Sequence, residues 1–119
     1  MPTQPCHPWS SVVQVGDLTV VHFTQRDLLD EVAVFAVGEQ LFGLVPEGQR
    51  NLVISFANVQ RVASILLGKL VRLQRKLKES GGRLAVCQLG ERVGEIFDTL
   101  RLSQMLNIYD SERDALESF

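Results

Sequence analysis

Cysteine, histidine and an excess of either charge are all scarce in this chain, and each shortage removes a class of protein. The two cysteines, Cys6 and Cys87, lie far apart and make no disulfide framework, so a small secreted scaffold held by bridges is excluded. Cys6 and His7 are adjacent, but no second pair at metal-ligand spacing accompanies them, since His22 and Cys87 stand alone. No metal and no other cofactor is expected. No apolar run approaches the roughly 18 to 20 residues of a membrane span, and the N-terminus lacks the basic start and apolar stretch of a secretory signal. A cytoplasmic protein without a membrane partner is the expectation. The 12 Lys and Arg against 14 Asp and Glu leave a net charge of −2, which removes the electrostatic footprint of a nucleic-acid binder. Catalytic signatures are missing too: there is no glycine-rich phosphate loop, no CxxC, no GxSxG and no paired histidines. An enzyme is not expected.

What the chain does have is the material of one core. Its 119 residues are 45% hydrophobic and 22% charged, and a domain of this length buries about two thirds of the surface of its unfolded chain, enough to need no staple. Pro2, Pro5 and Pro8 fall in a short polar stretch that cannot propagate a helix, so residues 1–11 read as a mobile N-terminal arm. Residues 12–119 read as a single domain.

Two β-type runs open that domain, Val12 to Val15 and Leu18 to Phe23, with Gly16 and Asp17 between them suiting a tight antiparallel hairpin. From Asp30 to Val45 the apolar Val34, Val37, Leu41 and Val45 recur at helical spacing, with Asp30 able to cap the start and Pro46 to Gly48 ending the segment. Val32 to Val37 alone would also suit a buried strand; length and the stop signal favour helix. Leu52 to Phe56 reads as a buried strand. The clearest helix follows from Ser64 to Glu79: Leu66, Leu70, Leu73 and Leu77 share one face, Leu67 and Val71 widen it, and Lys69, Arg72, Arg75, Lys76 and Lys78 take the remainder. Gly81 and Gly82 suit its end. Arg83 to Leu89 reads as a strand, Glu91 to Leu100 as a helix with Val93, Ile96, Phe97 and Leu100 inward, and Met105 to Tyr109 as a last strand. Ser111 with Asp114 starts a short final helix carrying Ala115, Leu116 and Phe119. Strands that are each followed by a helix imply an α/β fold: a mixed, largely parallel sheet with an N-terminal antiparallel hairpin, covered by helices. Binding regions of such sheets lie beyond the carboxyl ends of the strands, here Thr24 to Leu29, Ala57 to Ala63 and Gly90.

Among residues with reactive side chains, His22 and Cys87 fall inside predicted strands and read as a packed or edge histidine and a buried small hydrophobe. Glu91 with Glu95, and Asp27 with Asp30, sit where surface and helix-start carboxylates normally sit. The cations from Lys69 to Lys78 have no acidic residue among them; they suit a solvated face near a helix C-terminus or a docking surface for an acidic partner, and no aromatics interleave with them for base stacking. Ser64 stands where the long helix begins. Its hydroxyl can cap the first turn, and the same place would hold a phosphate, with Arg61 close in sequence.

From Val12 to Phe119 the chain resembles the STAS domain of bacterial anti-sigma factor antagonists. The likeness is carried by LVISFANVQRVASILLGKLVRLQRKLKESGGRLAVCQL and GERVGEIFDTLRLSQMLNIYDSERDAL: a strand, a loop ending in a serine at a helix start, Leu67-Gly68 one turn on, Gly-Gly-Arg-Leu before the next strand, and the Leu102 to Tyr109 turn and strand. The family's Asp-Ser-Ser/Ala-Gly-Leu-Gly motif stands here as Ala63-Ser64-Ile65-Leu66-Leu67-Gly68, and the aspartate usual in the preceding strand is Ser55. The resemblance implies a protein-binding switch, a monomer or weak dimer, whose partners are an anti-sigma factor that is also a serine kinase and a serine phosphatase that resets it. It implies Ser64 as phosphoacceptor, and a partner surface of Gln25, Arg26, Asp27, Gln60, Arg61, Val62, Ala63, Ile65, Leu66, Leu67 and Gly90. Two other roles stay open: a STAS scaffold held in a larger signalling assembly without phosphorylation, and a module binding a nucleotide or another anion through the same loops.

Overall fold

A computed structural model describes residues 10–16, 18–43 and 51–119. Residues 1–9 of the expected 1–11 arm, with the Cys6–His7 pair, and Asp17 of the hairpin, Val45 and the Pro46 to Gly48 stop lie outside the described residues. The described residues open with β1 (Ser10–Val15) and β2 (Leu18–Phe23), paired antiparallel from Ser10 opposite Phe23 to Val15 opposite Leu18. β1 thus takes in Ser10 and Ser11, the end of the stretch read as arm. Gly16 adopts φ +61, the left-handed conformation that a tight hairpin needs.

The elements after the hairpin are β3 (Asp27–Leu28), α1 (Glu31–Gly43), β4 (Asn51–Ser55), β5 (Arg61–Val62), α2 (Ser64–Glu79), β6 (Arg83–Cys87), α3 (Glu91–Thr99), β7 (Asn107–Tyr109) and α4 (Glu112–Glu117). The main sheet has the order β1-β2-β4-β6-β7, and every pairing after the hairpin is parallel. The α/β, mixed and largely parallel sheet expected from the sequence is therefore the observed one.

Strand alternation decides which face each residue serves. Val21, Leu52, Ile54, Leu84 and Val86 face a large core beneath α1, α2 and α3, whereas Val20, Val53, Ala85 and Cys87 face a smaller one closed by Ala115 and Leu116 of α4. In α2, Leu66, Leu70, Leu73 and Leu77 are fully buried while Arg72, Arg75 and Lys76 are exposed, the register read from the sequence. Gln74 shares the buried face because its Oε1 accepts from Leu84 N at 3.1 Å. The helix closes as a Schellman motif: Gly82 N donates to Leu77 O and Gly81 N to Lys78 O, with Gly81 at φ +82.

Four sequence expectations change. β6 stops at Cys87 rather than Leu89, because Gln88 turns to φ +58. Leu100 is not inward: α3 ends at Thr99, and Leu100 caps it at 43% exposure before Arg101 turns left-handed. The last strand begins at Asn107 rather than Met105, since a 3-10 helix over Leu102–Gln104 precedes it and buries Leu102 and Leu106 while Met105 faces out. Phe119 lies beyond α4, with the Arg83 guanidinium 5.0 Å over its ring.

Candidate functional site

The loops at the carboxyl end of the sheet are zipped together by a second, minimal sheet. β3 pairs parallel with β5, Asp27 beside Arg61 and Leu28 beside Val62. Around it Gln60 N and Arg61 N both donate to Arg26 O, and Ala63 N donates to Leu28 O. Side chains repeat the link: Arg61 Nε and Nη2 reach the Asp27 carboxylate at 3.2 and 3.4 Å, and Arg26 Nε donates to Gln60 Oε1 at 3.0 Å. Both pairs are exposed, so their contribution is positional; an exposed ion pair adds only about 0–1 kcal/mol.

Beneath the loops lies an aromatic floor. Phe56 stands edge-on to Phe23 and to Phe97, with centroids 5.1 and 5.8 Å away, tying the ends of β2 and β4 to α3. Ser55, at the position where the resemblance has an aspartate, is almost fully buried. Its hydroxyl donates to Gln88 Oε1 at 2.7 Å and accepts from Ala57 N at 3.3 Å. A neutral hydroxyl therefore holds this corner, and the left-handed Gln88 is pinned by it.

Ser64 is the first residue of α2, not its cap. Ala63 caps the helix with extended backbone, and its carbonyl accepts from Leu66 N and Leu67 N. The capping role expected for the Ser64 hydroxyl is therefore corrected: Ser64 stands one position into the helix, and no side chain caps the first turn. Ser64 is exposed. Among the described residues neither its hydroxyl nor the amides of Ser64 and Ile65 have a hydrogen-bond partner, so the positive end of a 16-residue helix stands open beside it.

The residues flanking Ser64 divide sharply. Ile65 is 69% exposed, whereas Leu66 and Leu67 are fully buried and Val62 nearly so; these three support the surface from below instead of forming it. The family motif's first glycine thus falls on a core position, which Leu66 fills. Ala63 and Ile65 line an apolar groove of about 230 Å³ with Leu29, Val34 and Phe35. A polar groove of about 420 Å³ is lined by Arg26, Ala57, Val59, Gln60, Gly90, Glu91, Arg92 and Val93. It joins the Gly90 loop to the other two loops. Gln25 and Asp27 are exposed on the same loop as Arg26.

The remaining candidates serve the fold. His22 Nε2 meets Glu112 Oε1 at 2.6 Å, holding α4 to β2. Burial and the nearby Glu112 charge push the Cys87 thiol up to about 11, with a Ser55 hydrogen bond opposing them, so it is an inert thiol at neutral pH. Asp30 caps α1, accepting from Val32 N at 3.0 Å. Among the described residues no three His, Cys, Asp or Glu side chains gather as a metal site.

Sequence reasoning missed the β3–β5 zipper, because two-residue strands carry no periodicity; the opposite charges of Asp27 and Arg61 were its one trace. It also missed that Val32 and Phe35 point outward, a fact hidden within an almost unbroken apolar run.

A model of the STAS domain matches residues 11–115. The chain is 32% identical over 66 residues to the anti-sigma F factor antagonist of Paenibacillus polymyxa, a match over 56% of each protein, so it spans just over half the length of that relative. It is 28% identical over 95 residues to the anti-sigma-B factor antagonist of Staphylococcus epidermidis, covering 76% of this chain and 88% of that one. In fold it is similar to the crystal structure of an anti-sigma factor antagonist from Mycobacterium paratuberculosis, with a TM-score of 0.81 at 22% identity over 92% of this chain and 91% of that one. The match over residues 11–115, on a sheet whose carboxyl-end loops converge on a helix-start serine, shows that this chain belongs to the STAS domain family.

Proposed function

We propose that this protein is a phosphorylation-controlled partner switch. Unphosphorylated, it binds an anti-sigma factor that is also a serine kinase through the loops zipped by β3 and β5 and the start of α2. Phosphorylation of Ser64 ends that binding, and a serine phosphatase restores it. The observation that carries this reading is the exposed hydroxyl of Ser64 at the open head of α2, without a hydrogen-bond partner among the described residues. A phosphoryl group there brings a charge of about −1.5 to −2. The free domain tolerates it, because the helix-start amides and dipole favour an anion. A partner that covers Ile65 and the adjacent groove must strip water from that charge, which disfavours the complex.

A second reading, a scaffold that holds its partner without phosphorylation, draws on Ala63, which leaves no carboxylate before the serine. One experiment separates the two. The purified chain is incubated with ATP and a lysate of its native cell, then mapped by phosphopeptide mass spectrometry. The switch requires phosphate on Ser64 and none on a Ser64→Ala variant; an unlabelled Ser64 with the partner still bound favours the scaffold.

A further inference from the structure

Among the cations that α2 carries, Arg72, Arg75, Lys76 and Lys78 are exposed, but Lys69 is half-buried. Its stem crosses to α1 and lies on Gly38, where a Cβ would stand 2.9 Å from Lys69 Cδ and 3.6 Å from its Nζ. A glycine within a helix is unfavourable in itself; here it leaves the space that the lysine occupies. A lysine stem that covers apolar surface needs no partner when its head reaches out to water. This head instead lies back on α1.

The same side chain lines the apolar groove of Leu29, Val34, Phe35, Ala63 and Ile65. Among the described residues Lys69 has no ion pair and no hydrogen bond from its ammonium. Glu31 lines the groove as well, but it is not within ion-pair distance, and it stands in the first turn of α1, where the helix dipole already favours an anion. The uncompensated charge of the groove is therefore positive.

Size and surroundings narrow the occupant. At about 230 Å³ the groove is smaller than the roughly 300–1,000 Å³ of small-molecule sites, so it suits one or two side chains of a protein partner. Phe35 and Ile65, 63% and 69% exposed, offer that partner apolar walls which the core does not use. Along α2, Arg72 and Lys76 continue the row begun by Ile65 and Lys69, at helical spacing, and neither has an ion-pair partner among the described residues. The surface is apolar first and basic from one turn later.

We propose that this groove takes a partner segment that seats a large apolar side chain against Phe35 and Ile65 and sets a carboxylate on Lys69, with further acidic residues beside Arg72 and Lys76. Lys69 is then the residue that selects an acidic partner. The proposal rests on the reading above that a partner covers the groove beside Ser64, and it gives that partner a chemistry. An anionic bilayer fits less well, because the groove is concave and Glu31 would face its headgroups.

The test uses random peptides displayed on phage, selected against the full unphosphorylated chain, with the enriched sequences synthesised and their affinities read by fluorescence anisotropy. The selection should yield a large apolar residue with Asp or Glu about one helical turn away. Ile65→Glu and Lys69→Glu should each weaken the enriched peptide about tenfold or more, with an unchanged circular dichroism melt. Lys69→Met, which keeps the stem, should bind the acidic peptide and its amide counterpart equally. Arg75→Glu, outside that row, should weaken binding far less than Lys69→Glu. The decisive arm exchanges charges: a peptide with Lys in place of its acid should recover affinity for the Lys69→Glu chain alone. Enriched peptides without an acid, affinities that Lys69→Glu and Arg75→Glu lower alike, a charge exchange that fails, or binding only to phosphatidylserine vesicles would each overturn the proposal. Ser64 labelling is read separately: an unlabelled serine removes the switch and leaves this preference standing, and an indifferent Lys69 does the reverse.

Discussion

Restoring glycine at position 66, as in the family motif, should destabilise this protein, and by an amount that the structure sets. Leu66 is fully buried against the core, and its neighbour Ile65 is 69% exposed. Truncating a buried leucine to alanine costs about 2–5 kcal/mol, and glycine in a helix costs about 1 kcal/mol more than alanine. Leu66→Gly should therefore lose about 3–6 kcal/mol. Ile65→Gly carries the same backbone penalty with little burial, so it should lose about 1 kcal/mol. The difference between the two variants isolates the buried side chain at about 2–5 kcal/mol. Urea unfolding at 25 °C reads both. With a slope of about 2 kcal/mol per molar urea, Leu66→Gly should lower the midpoint by about 2 M and Ile65→Gly by about 0.5 M. Equal midpoints for the two variants would refute the assignment of Leu66 to the core and, with it, the register of α2.

Two further outcomes follow from the smaller core. The Cys87 thiol, pushed up to about 11 by burial and Glu112, stays protonated in the folded chain after the unfolded chain has ionised. Its contribution to stability is thus complete below the ordinary thiol value of 9.0, which holds in the unfolded chain, and is lost as pH rises through the folded value of about 11. In a Cys6→Ser background, a thiol reagent at pH 8 should leave Cys87 unmodified until urea unfolds the chain; immediate labelling would show that the strand face under α4 is open. Arg83 donates to Ser118 O at 2.7 Å and to the Tyr109 hydroxyl at 2.6 Å and lies over Phe119. Arg83→Ala should cost about 1–3 kcal/mol and speed amide exchange in α4 more than in α2; equal protection of α4 in Arg83→Ala and the wild type would remove Arg83 as the tie on α4.

Much of the architecture was legible because burial writes periodicity into sequence. The leucines of α2 mark the whole helix, and the unbroken apolar runs Leu52 to Ile54 and Leu84 to Cys87 mark strands with both faces covered. Legibility failed where geometry depends on a distant segment. The Asp27–Arg61 zipper joins two loops through strands too short to carry a pattern. Leu100 and Met105 changed places with Leu102 and Leu106 because a 3-10 helix, with its tighter turn, replaced an expected loop. Ser64 was found as a residue, but its distinction from the cap depends on a single position, and the extended backbone of Ala63 decides it.

The central claim is that the charge on Ser64 controls a protein contact made at the head of α2. Affinity capture from the native cell with wild type, Ser64→Ala and Ser64→Asp chains as bait, followed by mass spectrometry of bait and captured proteins, tests it most directly. The account predicts phosphate on Ser64 of a fraction of the wild type, the same partner held by wild type and Ser64→Ala, and loss of that partner from Ser64→Asp. A partner captured equally by all three baits, with no phosphate on Ser64, would contradict it.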